Sequence, residues 1–214
     1  MIRSAGKHDR ESQYDAVVFD LLTALIDSWT LWNTIAGSTE AGMRWRMEYL
    51  KLTYGSGAYR DYEAIVAEAA QAAGLQEHHA SELRLRWREL TAWPETDSVL
   101  TNLSGRAKLG VVTNCSTALG RAAANLVHPA FDVIVTAEDA GYYKPRSEPY
   151  VMALSALGTP ACRTLFVAGS ASDVPGASAV GMPVYWHNRI GLAASNHIAP
   201  LYLERSLNRL TDLV

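Results

Sequence analysis

The chain has 214 residues, 49% of them hydrophobic and 19% charged, with a net charge of −3. That is the composition of a globular protein able to bury a sizeable core. No polybasic face or acidic tail argues for nucleic acid or an anionic membrane as partner, and no apolar run approaches the roughly 20 residues that cross a bilayer.

The N-terminal MIRSAGKHDRESQYD is polar. It reads as a frayed tail without the apolar stretch of a signal peptide, so the expected location is cytoplasmic. Cys115 and Cys162, the only cysteines, are then expected to be free thiols in a reducing compartment. The first strand is expected at Asp15–Asp20. Residues 28–98 hold no convincing strand and read as helices near 30–36, 39–53, 58–73 and 77–92, punctuated by Gly55, Gly57 and Gly74. Further strands are expected at Lys108–Thr113, Phe131–Val135, Thr164–Ala168 and Met182–Trp186. They are short, Val-rich and apolar on both faces, as parallel strands covered on both sides should be. Helical patterns follow at CSTALGRAAANLV, Glu148–Leu157, Pro175–Val180 and Ala199–Leu213. Alternating strands and helices define an α/β fold with a doubly wound, parallel, Rossmann-like sheet. The expected division is a catalytic core of residues 14–27 and 99–214, with a helical cap inserted at 28–98.

Open sheets of this kind bind ligands at the C-terminal edge of their strands. The polar residues expected there are Asp20 at the end of the first strand, Thr113 and Asn114 at the end of the second, Lys144 in the loop after the third and Asp173 in the loop after the fourth. A carboxylate ending a buried strand is costly unless it is paired or used. The set supplies a carboxylate nucleophile or base, two hydrogen-bonding groups, a cation and a second carboxylate.

FDLLTALID, VVTNCS, YYKP and VAGSASDVPGASAVGMP, in that order and each after an expected strand, resemble the four motifs of the haloacid dehalogenase superfamily. Phosphatase branches of that superfamily usually read D-x-D-G-T in the first motif, where the second Asp protonates the leaving oxygen, and G-D-x-x-x-D in the last, where carboxylates hold Mg²⁺. Here Leu22, Thr23 and Ala24 replace Asp-Gly-Thr, and Ser170 stands where the first of the later acids would be. Asp20 and Asp173 alone are a thin site for an ion that demands octahedral oxygen coordination. The 2-haloacid dehalogenase branch lacks both phosphatase features, and its cap resembles RWRMEYLKLTYGSGAYRDYEAI. There are departures: that branch has Thr at the Ala24 position, Ser and Asn at Gly169 and Ser170, and a catalytic Arg one residue out of register with Arg44 and further from Arg46.

The resemblance implies a hydrolase without cofactor or metal. Asp20 attacks C2 of a small 2-substituted carboxylic acid, and water activated by Asp173 hydrolyses the resulting aspartyl ester. Lys144 holds Asp20 ionised, and Tyr150 orients Lys144 or the water. Thr113, Asn114 and the backbone N–H groups of Leu21 and Leu22 anchor the substrate carboxylate, with Ser170 in the same binding set. Arg44 is the nearest counterpart of the cap arginine. The leaving group is a halide or the amine of a strained ring such as azetidine-2-carboxylate. For the amine, the faces of Trp29 and Trp32 would stabilise an ammonium by roughly 0.5–2 kcal/mol. Two other readings stand beside this one: a Mg²⁺-dependent phosphatase with a degenerate motif, and a non-catalytic relative. The helical insertion could also supply a homodimer surface.

Overall fold

The computed structural model describes residues 13–194 and 198–214, so most of the expected N-terminal tail lies outside the described residues. A six-stranded parallel sheet runs in the order β5-β4-β1-β6-β7-β8. Its strands are β1 Ala16–Phe19, β4 Lys108–Thr113, β5 Val133–Thr136, β6 Thr164–Ala168, β7 Val184–His187 and β8 Tyr202–Glu204. The central strand β1 pairs with β4 on one side (Val18 opposite Gly110) and with β6 on the other (Val18 opposite Phe166). All four residues of β1 and all five of β6 are buried. Two apolar clusters cover the two faces of the sheet. Val17, Phe19, Leu109, Val111, Leu165 and Val167 point to one, and Ala16, Val18, Val112, Phe166 and Ala168 to the other, the alternation a pleated strand imposes.

The chain leaves the sheet through β2 Ile26–Asp27 and returns through β3 Thr91–Ala92, which pair antiparallel. Between them lie α1 Ser28–Ile35, α2 Thr39–Gly55, α3 Tyr62–Ala72 and α4 His78–Leu85. Their starts are capped as the sequence allows. The side chains of Asp27, Ser38 and Asp61 accept from the backbone N–H of Thr30, Ala41 and Ala64, each satisfying a donor that the first helical turn leaves open. Trp32, Trp45, Tyr49, Tyr62 and Trp87 stack edge to face through the centre of this bundle, and the Trp45 indole N–H donates to Val66 O at 2.9 Å. Helix α5 Thr96–Ser104 begins inside the expected insertion but packs on β4 and on α10 Leu210–Leu213.

The remaining helices are α6 Thr117–Ala124, α7 Ala137–Ala140, α8 Ser147–Leu157 and α9 Asp173–Ala179. The one clear miss is the tail. The helical pattern over Ala199–Leu213 gives way to β8, paired with β7 through Tyr185 opposite Tyr202, and only Leu210–Leu213 is helical. The free backbone edge of β7 recruits three residues whose local pattern favours a helix. Cys115 and Cys162 are both free thiols, the first buried and the second exposed. Among the described residues no helix is long and apolar enough to cross a membrane.

Candidate active site

The strand-edge residues converge. Lys144 Nζ lies 2.7 Å from Asp20 Oδ1 and 3.3 Å from Asp173 Oδ2, with all three side chains at least nine-tenths buried. Asp20 follows β1, whose register is locked by the Asp20 N–H donating to Val167 O at 2.9 Å. Lys144 lies on the loop after α7, and Asp173 opens α9. Ser172 is the N-cap residue of that helix, and the Asp173 carboxylate meets Lys144.

The two oxygens of Asp20 are treated differently. Oδ2 accepts from the Thr23 N–H at 2.9 Å, the Thr23 hydroxyl at 2.6 Å and the Ala24 N–H at 3.2 Å. Oδ1 accepts from Lys144. The hydroxyl lost at Ala24, where the related branch has Thr, is thus supplied from the preceding position. Room for it comes from Gly169: a Cβ there would sit 2.1 Å from Thr23 Oγ1. Thr23 and Gly169 thus fit each other beside Asp20.

Charge follows geometry. Burial works to raise the Asp20 pKa, but the Lys144 ammonium and the Thr23 donors outweigh it and hold the carboxyl below its ordinary value. Burial works against the Lys144 charge, and the two carboxylates outweigh it, so the ammonium persists. Asp173 has fewer donors. Burial pushes its pKa up to about 6, opposed by Lys144 and reinforced by Asp20. One carboxylate is therefore held ionised and the other is poised to exchange a proton near neutral pH.

Asn114 acts on the backbone of Lys144. Its Nδ2 donates to Lys144 O at 3.1 Å and its Oδ1 accepts from Lys144 N–H at 2.7 Å, so it positions the lysine instead of being devoted to a ligand. Gly176 allows α9 to lie against the same loop, since a Cβ there would meet Pro145 O at 2.6 Å. The fully buried Tyr150 reaches neither Lys144 nor the cavity: its hydroxyl donates to Asp173 O at 3.4 Å. Thr113 is 1% exposed, lines the cavity, and among the described residues its hydroxyl has no hydrogen-bond partner.

A cavity of about 60 Å³ opens over Asp20, Lys144 and Asp173, lined also by Leu22, Thr113, Asn114 and Ser170 from the sheet edge and by Trp29, Arg46, Tyr49 and Tyr54 from the cap. Three expectations are corrected here. Arg44 is exposed on the outside of α2, and Arg46 lines the cavity in its place. Trp32 lies inside the cap bundle, 4.5 Å from Trp45, and the Leu21 side chain is in the core. The Arg46 guanidinium stands over the Trp29 ring at 4.1 Å and the Trp32 ring at 4.7 Å, and donates to Ser28 Oγ. Burial lowers its pKa to about 10, so it remains a cation at neutral pH. Sequence reasoning also missed Thr23 as a partner of Asp20. An Asp accepting from the N–H three residues on is a common local pattern, and the spacing D-x-x-T carries it.

Magnesium, the ion implied by the phosphatase branches, does not fit these donors. The Lys144 ammonium lies between the two carboxylates, Asp20 Oδ2 is spent on three protein donors, and among the described residues no group of three or more His, Cys, Asp or Glu side chains could hold a metal ion. Such an ion needs near-octahedral oxygen coordination with matching charge.

Residues 14–181 match the family model for haloacid dehalogenase-like hydrolases, and the chain belongs to that family of hydrolases, in its dehalogenase-like branch. It is 28% identical over 190 residues to an (S)-2-haloacid dehalogenase of Pseudomonas putida, covering 81% of this chain and 84% of that one. It is 32% identical over 128 residues to a pyrimidine 5'-nucleotidase of Escherichia coli, covering 58% and 57%. The crystal structure of an L-2-haloacid dehalogenase superposes with a TM-score of 0.84 at 25% identity, over 94% of this chain and 98% of the other.

Proposed function

We propose that the protein is a metal-independent 2-haloacid dehalogenase for two- or three-carbon acids. The observation that carries this reading is the unequal treatment of the Asp20 oxygens. Oδ2 is held by three donors, while Oδ1 has Lys144 alone as its partner among the described residues, in a residue that lines the cavity.

Asp20 Oδ1 attacks C2, the new C–O bond forms as the carbon–halogen bond breaks, and the electron pair leaves with the halide. Water then attacks Asp20 Cγ and gives its proton to Asp173. Negative charge develops on Oδ2, where the Thr23 and Ala24 donors already point, so they serve the second step as an oxyanion hole. The Cγ–Oδ1 bond breaks and the departing alkoxide takes a proton from Lys144, which lies between Asp173 and Oδ1 and is reprotonated by Asp173. The product is the 2-hydroxy acid; the second proton of the water leaves the new Asp20 carboxyl through Asp173 to solvent, which restores the Asp20 carboxylate with one oxygen from water. The unpaired Thr113 hydroxyl and the Leu21 and Leu22 amides anchor the substrate carboxylate.

Arg46 weighs against the amine as leaving group. An amine must depart as an ammonium, but the faces of Trp29 and Trp32 that would receive it already carry the guanidinium. The cap therefore presents a cation, which attracts a halide and repels an ammonium, and azetidine-2-carboxylate is disfavoured. The cavity size agrees. A cavity of about 60 Å³ suits a small acid such as chloroacetate or 2-chloropropionate. Leu22 offers hydrocarbon where a phosphatase needs an acid for the leaving oxygen, which weighs against phosphoryl transfer.

The test is a single turnover of 2-chloropropionate in H₂¹⁸O with enzyme in excess. Heavy oxygen is expected in the peptide carrying Asp20. Label found in the product alone would show direct attack by water and overturn the mechanism.

A further inference from the structure

The loop that carries the oxyanion donors is held from behind by residues that do not touch the cavity. The Trp93 indole N–H donates to Thr23 O at 3.2 Å, and the Trp93 backbone N–H to Leu25 O at 3.0 Å. Thr96 Oγ1 also donates to Leu25 O, at 2.8 Å. The ring of His187, the last residue of β7 and fully buried, bonds through Nδ1 to Ala24 O at 2.8 Å. A carbonyl partner requires that Nδ1 carry the proton. Burial keeps the His187 pKa below its ordinary value, so the ring is neutral at pH 7. Its other nitrogen faces the Glu95 carboxylate at 4.0 Å, which is itself paired with Arg189 at 2.8 Å, and Trp93 packs edge-on against the imidazole with ring centres 6.2 Å apart.

Peptide planarity gives these contacts a direct consequence. The Thr23 carbonyl and the Ala24 N–H belong to one rigid plane and point oppositely. Fixing the carbonyl on Trp93 therefore aims the N–H, which reaches Asp20 Oδ2 at 3.2 Å. His187 fixes the next plane, so the loop cannot rotate away from Trp93.

We infer that Trp93 and His187 are positioning residues for hydrolysis of the aspartyl ester, acting through the Thr23–Ala24 peptide on the charge that forms at Oδ2. This rests on the two-step reading above. It separates the steps, because negative charge leaves the Asp20 carboxylate during ester formation and gathers on Oδ2 during hydrolysis. Weakening the donors therefore slows the second step alone.

Trp93→Phe removes the indole N–H and keeps an aromatic ring. His187→Leu removes the Nδ1 donor, and His187→Asn places an amide N–H near the same spot. Rapid quenching after mixing with 2-chloropropionate, followed by mass measurement of the Asp20 peptide, reads ester formation and decay separately. Trp93→Phe and His187→Leu are expected to slow ester decay about tenfold, with formation unchanged within about twofold, and His187→Asn is expected to restore most of the loss. Equal slowing of both steps, unchanged decay, or failure of Asn to rescue would overturn the inference and leave the two-step reading intact. Absence of any ester on the wild-type Asp20 would overturn both.

Discussion

The edge of the sheet and the inner face of the cap both line the cavity, but they are built by different rules. At the edge, Asp20, Thr113, Asn114, Lys144 and Asp173 follow parallel strands or the segments after them, and neighbouring strands lie roughly 5 Å apart, so residues at strand ends are brought together whatever their side-chain details. In the cap, which residue faces the cavity depends on the rotation of α2. Arg44 and Arg46 are two positions apart, about 200° around a helix of 3.6 residues per turn. One faces water and the other lies on Trp29. The strand-edge groups are thus robustly placed by topology, whereas which cap cation meets the cavity hangs on the seating of one helix.

Substitutions can break this contrast in order of size. Asp20→Asn is expected to reduce halide release about 10⁴-fold or more, measured with a halide electrode, because the nucleophile itself is gone. Lys144→Met should cost about 10²–10⁴-fold in activity. It should also destabilise the protein by about 3–5 kcal/mol in denaturant titration, since two buried carboxylates lose their shared cation. Arg46→Met is expected to lower kcat/KM for 2-chloropropionate about 10²-fold, while Arg44→Ala leaves activity within about twofold and stability within about 0.5 kcal/mol. The reverse result for the two arginines would mean that α2 is rotated from the orientation described.

The sheet edge has its own pH signature. Asp173 must be ionised to accept the proton of water; its pKa of about 6 in the free enzyme is raised in part by the Asp20 charge, which the ester removes, so the ester-hydrolysis rate should be flat at neutral pH and fall about tenfold per unit only below a midpoint under that value. Its stability linkage has the opposite sign. The folded state holds this proton more tightly than the unfolded chain, so the group favours folding below its ordinary pKa and loses that contribution as pH rises through about 6. The smallest expected effect is that of EDTA: none on halide release at any concentration. Loss of activity on chelation, restored by Mg²⁺, would transfer the site to phosphatase-like chemistry.

The legible parts were those with local signals. Five strands stood out as short apolar runs, and the four chain-ordered motifs placed the carboxylates and the lysine. The illegible parts depended on partners far away in sequence. Tyr202–Glu204 became a strand only because β7 offered an unpaired edge. Asn114 looked like a substrate anchor until the backbone of Lys144, 30 residues on, took both ends of its amide. Tyr150 looked like a partner of Lys144, but α8 is oriented so that the hydroxyl meets the Asp173 carbonyl.

By itself the sequence determined the alternation of strands and helices, the insertion after the first strand, and the identity of the charged groups at the sheet's C-terminal edge. These follow from periodicity and spacing, which are local. Tertiary structure alone decided which arginine meets the cavity, which oxygen of Asp20 the Thr23 and Ala24 donors occupy, and how the Thr23 hydroxyl finds room beside Gly169. Those outcomes depend on the angular seating of packed elements and on contacts of a few ångströms between segments up to about 160 residues apart, such as Ala24 and His187, and no local pattern encodes them.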